Sequence, residues 1–137
     1  MLKNLKLHLE ENNIFQKTLI LKKGPLNNFL LDQTPDLTQF PAGVIAGGPV
    51  CTTDGALTGS CNVDVAVITP FYGGLDRELE EGLEILKKTV CLLQCDPRGN
   101  VLSLGEYHYI LEQVEELDLS DEFLAWRIRL NVKFSLS

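Results

Sequence analysis

The side chains with the most reactive chemistry in this chain are four cysteines and two histidines. Cys91 and Cys95 stand four residues apart, and Cys51 and Cys61 flank the stretch Thr52–Ser60. Four thiolates are enough for a structural zinc, but such sites are usually built from two close pairs, and only Cys91 and Cys95 have that spacing. The cysteines are therefore read as small buried hydrophobes, a common fate of free thiols. A Cys51–Cys61 bridge across a hairpin is geometrically conceivable but unexpected in a reducing cytoplasm, where all four should be thiols. His8 and His108 have no carboxylate or cysteine at a spacing that local structure would turn into a dyad. A His–Cys pair assembled by the fold stays open.

Gly47-Gly48 and Gly55–Gly59 invite comparison with a phosphate loop. The segment lacks the lysine that follows the last glycine of such loops, and it precedes a strand instead of opening a helix. That reading fails. The acidic run Glu78–Glu84 offers carboxylates to a metal, but its helical spacing is better explained as a solvated face. Tyr107-His108-Tyr109 supplies rings for stacking without the surrounding Lys and Arg of a nucleic-acid site. No catalytic, cofactor or metal site is expected.

The elements that would position these residues centre on Asn62–Cys95. Valines recur at every second position of Asn62-Val63-Asp64-Val65-Ala66-Val67-Ile68, the period of a two-faced strand. Pro70 ends its ladder, having no N–H to donate. Leu75, Leu79, Leu83, Leu86, Val90 and Leu93 then form one helical stripe. Acids crowd the helix's first half and Lys87 and Lys88 follow, an order that suits the helix dipole and predicts a Glu84–Lys88 pair. Asp96-Pro97-Arg98-Gly99 stops it. Such a helix needs a sheet to cover.

Earlier in the chain, Leu2, Leu5 and Leu9 mark a short helix closed by Asn12-Asn13, and Thr18–Lys23 reads as a strand. Asn28–Asp32 is a short extended piece or a turn. Gln33–Ser60 is punctuated by Pro35, Pro41 and Pro49, with a buried strand expected only at Ala42–Ala46. Gly47–Ser60 reads as a flexible hairpin loop or arm, long enough to be functional. Asn100–Leu104 is a short strand or turn. Tyr107–Leu117 fits either helix or strand. A C-terminal hairpin favours a strand spanning Ile110–Leu117, because Trp126–Leu136 alternates cleanly and Ser120-Asp121-Glu122 signals a turn before it. Arg127, Arg129 and Lys133 lie on the polar side of that last strand, with Glu112, Glu115 and Glu116 placed to meet the arginines.

At 137 residues the chain is expected to form a single domain, residues 1–137, with an ordinary share of apolar residues. Nineteen acidic against twelve basic residues give a net charge of −7, which argues against a surface built to neutralise phosphates. No apolar run reaches the length of a membrane span, and the first residues mix charge with leucine too evenly for a signal peptide.

The order of elements resembles the tail-terminator, or tail-completion, proteins of tailed bacteriophages and the minor capsid proteins related to them. The resemblance lies in Thr34-Pro35-Asp36, Phe40-Pro41-Ala42-Gly43-Val44-Ile45 and Gly47-Gly48, followed by the strand Val63–Ile68, the helix from Leu75 and the strand Trp126–Leu136. It implies an α+β fold, mainly an antiparallel sheet packed on one long helix and a short N-terminal helix, with a long Gly/Pro-rich hairpin loop. It implies a non-enzymatic virion protein of the tail and neck, met in host cytoplasm during assembly. Such a protein would form a homohexameric ring that caps the tail tube, ends its polymerisation and joins it to the head-side connector. DNA would pass through the lumen without specific binding. Self-association is expected through the sheet edge and the arm, with Gly47, Gly48, Thr52, Asp54, Gly55, Gly59, Arg127 and Arg129 at the interface. A small-molecule-binding or enzymatic α+β domain, with a pocket near His108 and the cysteines, and a cysteine-based metal adaptor are the alternatives.

Overall fold

A computed structural model of the chain describes residues 2–21, 39–53, 58–71, 75–94, 101–120 and 122–135, with side chains left out at 48–53, 75 and 118–120. Helix α1 (Leu2–Glu11) buries Leu5 and Leu9 completely. It ends where the sequence predicts. Asn13 takes a left-handed φ of 52°, a conformation that Asn tolerates, and the Asn12 side-chain amide donates to the His8 carbonyl at 2.8 Å. Strand β1 (Lys17–Leu21) follows, then β2 (Ala42–Thr53), β3 (Thr58–Pro70), helix α2 (Leu75–Leu93), β4 (Val101–Leu104), β5 (Tyr107–Ser120) and β6 (Phe123–Ser135). The expected extended piece at Asn28–Asp32 lies outside the described residues.

The strands form one six-stranded sheet in the order β1-β2-β3-β6-β5-β4. Strand β1 runs parallel to β2, and the other neighbouring pairs among the described residues are antiparallel. The α+β expectation holds, with the sheet mixed and, among the described residues, two helices of 10 and 19 residues. Tyr107–Leu117 is strand: β5 pairs with β6, and Ser120 stands opposite Phe123. Gly105 and Glu106 make the turn between β4 and β5, and the φ of +64° at Gly105 is one that favours glycine.

The main core lies between one sheet face and the helices. Val63, Val65 and Val67 of β3 and Trp126, Ile128, Leu130 and Val132 of β6 pack with Leu5 and Leu9 of α1 and Leu86 and Leu93 of α2. Each aliphatic side chain so buried contributes about 1.5–3 kcal/mol. Helix and sheet meet closely at Gly82, where an added Cβ would lie 2.6 Å from Cη2 of Trp126. The opposite face carries a smaller cluster of Ala42, Val44, Ala46, Ala66, Ile68 and Ala125 at one end.

The stretch expected to be a loop, 47–60, is strand from Gly47 to Thr53 and again from Thr58 to Ser60. Cys51 pairs with Cys61, Thr52 with Ser60 and Thr53 with Gly59, while Thr58, Gly59 and Ser60 also pair with β6. Glycine and threonine suggested a loop locally. Pairing with β3 overrides that preference in Gly47–Thr53, and Gly59 and Ser60 are bonded on both sides, by β2 and β6. The ladder shifts register between Gly47 and Cys51, the interval that contains Pro49, whose nitrogen cannot donate.

Tyr109 is fully buried, and burial pushes its phenol up to about 12, with Tyr107 adding to the shift. Below pH 10 both folded and unfolded chains keep this proton, so stability is unaffected by it. Above pH 10 the unfolded chain loses the proton first, so stability falls as pH rises toward about 12. The loss should approach about 2–3 kcal/mol. Denaturant melts across this interval should show the decline in wild type, and Tyr109→Phe should flatten it. An equal slope in both proteins would refute the assignment.

Candidate functional site

The sheet face turned away from α1 and α2 carries a row of cross-strand polar contacts. On β6, Arg127 stands opposite Glu115 of β5, and Arg129 stands opposite Asp64 of β3. Both arginines are paired. An Arg127 terminal nitrogen bonds Glu115 Oε1, and Arg129 Nε meets Asp64 Oδ1 at 3.1 Å. One step further along, Asn131 Nδ2 donates to Asn62 Oδ1 at 3.4 Å. Beyond that, Lys133 lies opposite His108, whose Nδ1 is 2.8 Å from Ser103 Oγ.

Arg127 and Arg129, expected at an interface, both have acidic partners within the chain. Their charges are answered within the chain. Glu115 was legible as a partner, whereas Glu116 stands opposite Trp126 on the other side of the sheet. Asp64 was missed as a partner, because only the β3–β6 register brings it to Arg129 across 65 residues of sequence. On α2 the i,i+4 ion pair among the described residues is Arg77–Glu81, while Glu84 and Lys88 are exposed.

Four other expected interface residues lie on the paired strands β2 and β3. Gly47 is exposed on β2, Gly48 and Thr52 belong to the β2 ladder, and Gly59 is buried in β3. Asp54 and Gly55 lie outside the described residues. The cysteines depart from expectation as well. Cys61 is 3% exposed and disulfide-bonded, and the register sets the Cys51 backbone opposite it. Cys91 is a free thiol on the exposed side of α2, because its position falls off the leucine stripe. Cys95 lies outside the described residues. No group of three or more metal-ligating side chains occurs among the described residues.

Sequence reasoning missed a cavity of about 500 Å³ between the end of β3 and the first half of α2. Phe40, Pro70 and Ile85 give it apolar walls, and Arg77, Glu78 and Glu81 are at its charged rim. Thr69 lines it, 5% exposed, and its hydroxyl has no hydrogen-bond partner. No local pattern marks Thr69, since it continues the β3 alternation that faces α2. Comparison with family models and with curated proteins gives no match.

Proposed function

We propose that this protein is a structural subunit of a phage-type tail, forming a ring that caps the tube and joins it to the head-side connector. The order of helix, strand, proline-rich link, strand-to-helix unit and terminal hairpin supports the reading. One structural observation carries it further. Strand β4 pairs only with Tyr107–Ile110, so among the described residues the outer edge of β5 from Leu111 to Ser120 has no strand beside it. At the other end of the sheet, β1 is also an edge.

Two different edges at opposite ends of one sheet suit head-to-tail association, which closes into a ring when the rotation per subunit allows. Unpaired backbone groups on each edge supply the bonds, and main-chain pairing tolerates sequence divergence. The ring would be homohexameric, and its work would be geometric rather than catalytic: it docks on the last tube ring, stops polymerisation and lets DNA through. No helix among the described residues is long and apolar enough to cross a membrane.

Negative-stain images and sedimentation of the purified protein, alone and with tail tubes, test this. Rings are expected from the wild-type protein. Val114 and Glu116 are both exposed on β5, so V114K/E116K should fold normally and place two lysines along the open edge, where lysine discourages strand addition. The variant should stay monomeric. A wild-type protein that remains monomeric with tubes present would remove the ring from the proposal; rings that survive the double substitution would remove the edge from it.

A further inference from the structure

We infer that Cys51 is the disulfide partner of Cys61 and that their bond is a reversible latch. Oxidised, it holds the far end of β2 on β3; reduced, it lets that end go. The assignment follows from register. Cys61 is disulfide-bonded and Cys91 is a free thiol, which leaves Cys51 and Cys95 as candidates. The β2–β3 ladder sets Cys51 directly opposite Cys61. Opposed residues of an antiparallel pair have Cα atoms about 4.5–5.5 Å apart, inside the roughly 4.4–6.8 Å that a disulfide spans.

The bond falls where β2 has least else to hold it. Strand β1 pairs with Ala42–Ala46, so among the described residues Cys51, Thr52 and Thr53 have a strand on one side alone, β3. The register break between Gly47 and Cys51 separates these three from the longer ladder of Ala42–Gly47. A segment of three one-sided pairs opens at a lower free energy than core strands do. The disulfide counters this, because a tether from Cys51 to Cys61 restricts the freedom that the opened segment would gain. Opening on reduction stays local, since Gly59, Ser60 and Cys61 keep their pairing with Phe134, Lys133 and Val132 of β6.

The chemistry is thiol–disulfide exchange. With a dithiol such as dithiothreitol, the Cys51–Cys61 S–S bond breaks and each sulfur gains a hydrogen. The dithiol gives up two electrons and two protons and closes into its own disulfide. Oxidised glutathione reverses the step: the two protein thiols form a disulfide and two glutathione thiols leave.

A non-reducing digest read by mass spectrometry tests the assignment, and NMR of the full chain before and after dithiothreitol tests the latch. The digest should contain a peptide that joins Cys51 to Cys61. On reduction, the cross-strand backbone NOEs between Thr52 and Ser60 and between Thr53 and Gly59 should disappear, and the amide shifts of Thr52 and Thr53 should move to random-coil values. The β3–β6 NOEs of Val63 with Leu130 and Val65 with Ile128 should remain, and oxidised glutathione should restore the lost ones. C51S/C61S should match the reduced wild-type protein without any reductant. A peptide joining Cys61 to Cys95, or Cys61 recovered as a free thiol, would overturn the assignment. Thr52–Ser60 NOEs that persist after reduction, or β3–β6 NOEs that vanish with them, would overturn the latch.

Discussion

Replacing Arg127 with Glu is expected to lower the stability of the protein by about 2–4 kcal/mol, read as a lower denaturation midpoint at unchanged slope. The side chains of Arg127 and Glu115 are only 20% and 32% exposed. Ala66, directly across β3 from Arg127, is fully buried, so little water reaches that side of the pair. The substitution removes an attraction and sets two carboxylates against each other. Unit charges about 4 Å apart interact by about 4 kcal/mol at the effective dielectric near a protein surface. Side-chain rotation relieves part of this. The charge-swapped double variant, R127E/E115R, should recover most of the loss. A single variant within about 0.5 kcal/mol of wild type, or a swap that recovers nothing, would show the pair to be incidental.

Loss of the Cys61 disulfide should have a comparable effect. Removing a native disulfide from a small domain costs about 2–5 kcal/mol, chiefly by releasing the unfolded chain. Cys61→Ala should lower the midpoint by that amount and leave a protein whose stability no longer responds to dithiothreitol. The wild-type protein should lose similar stability on reduction and gain the mass of two hydrogens. Unchanged mass and stability under reducing conditions would mean that Cys61 is a thiol. A disulfide persists where the surroundings are oxidising and is disfavoured in a reducing cytoplasm.

Legibility in the sequence depended on how far apart the deciding contacts lie. Strand β3, helix α2 and strand β6 were readable because their valines, leucines and alternating arginines carry their own periods. Strand β5 was ambiguous: Tyr107, Tyr109 and Leu111 fit a strand, but Ile110, Leu111 and Val114 fit a helix, and β6 decides between them. The extension of β2 through Thr53 was invisible, since Gly47, Gly48 and Pro49 argue locally for a loop. The alternation of β6 placed Arg127 and Arg129 on one face correctly. It marked Glu115 among the acids near them but not Asp64, which reaches Arg129 only once β3 and β6 are in register. Thr69 had no signal at all, since a threonine in an alternating strand looks the same with or without a bonding partner.

The strand order also sets a schedule for synthesis. Strand β6, translated after the other five, sits between β3 and β5 in the finished sheet. Until Phe123–Ser135 has left the ribosome, the β1–β2–β3 and β4–β5 groups have no strand to join them. Each must keep an unsatisfied inner edge, and β3 keeps its valines without their β6 neighbours. At roughly 5–20 residues per second that interval is brief, but an exposed apolar edge during it is open to pairing with another nascent chain. A stop codon before Phe123 would make the exposure permanent, leaving two part-sheets in place of a shortened version of the same fold.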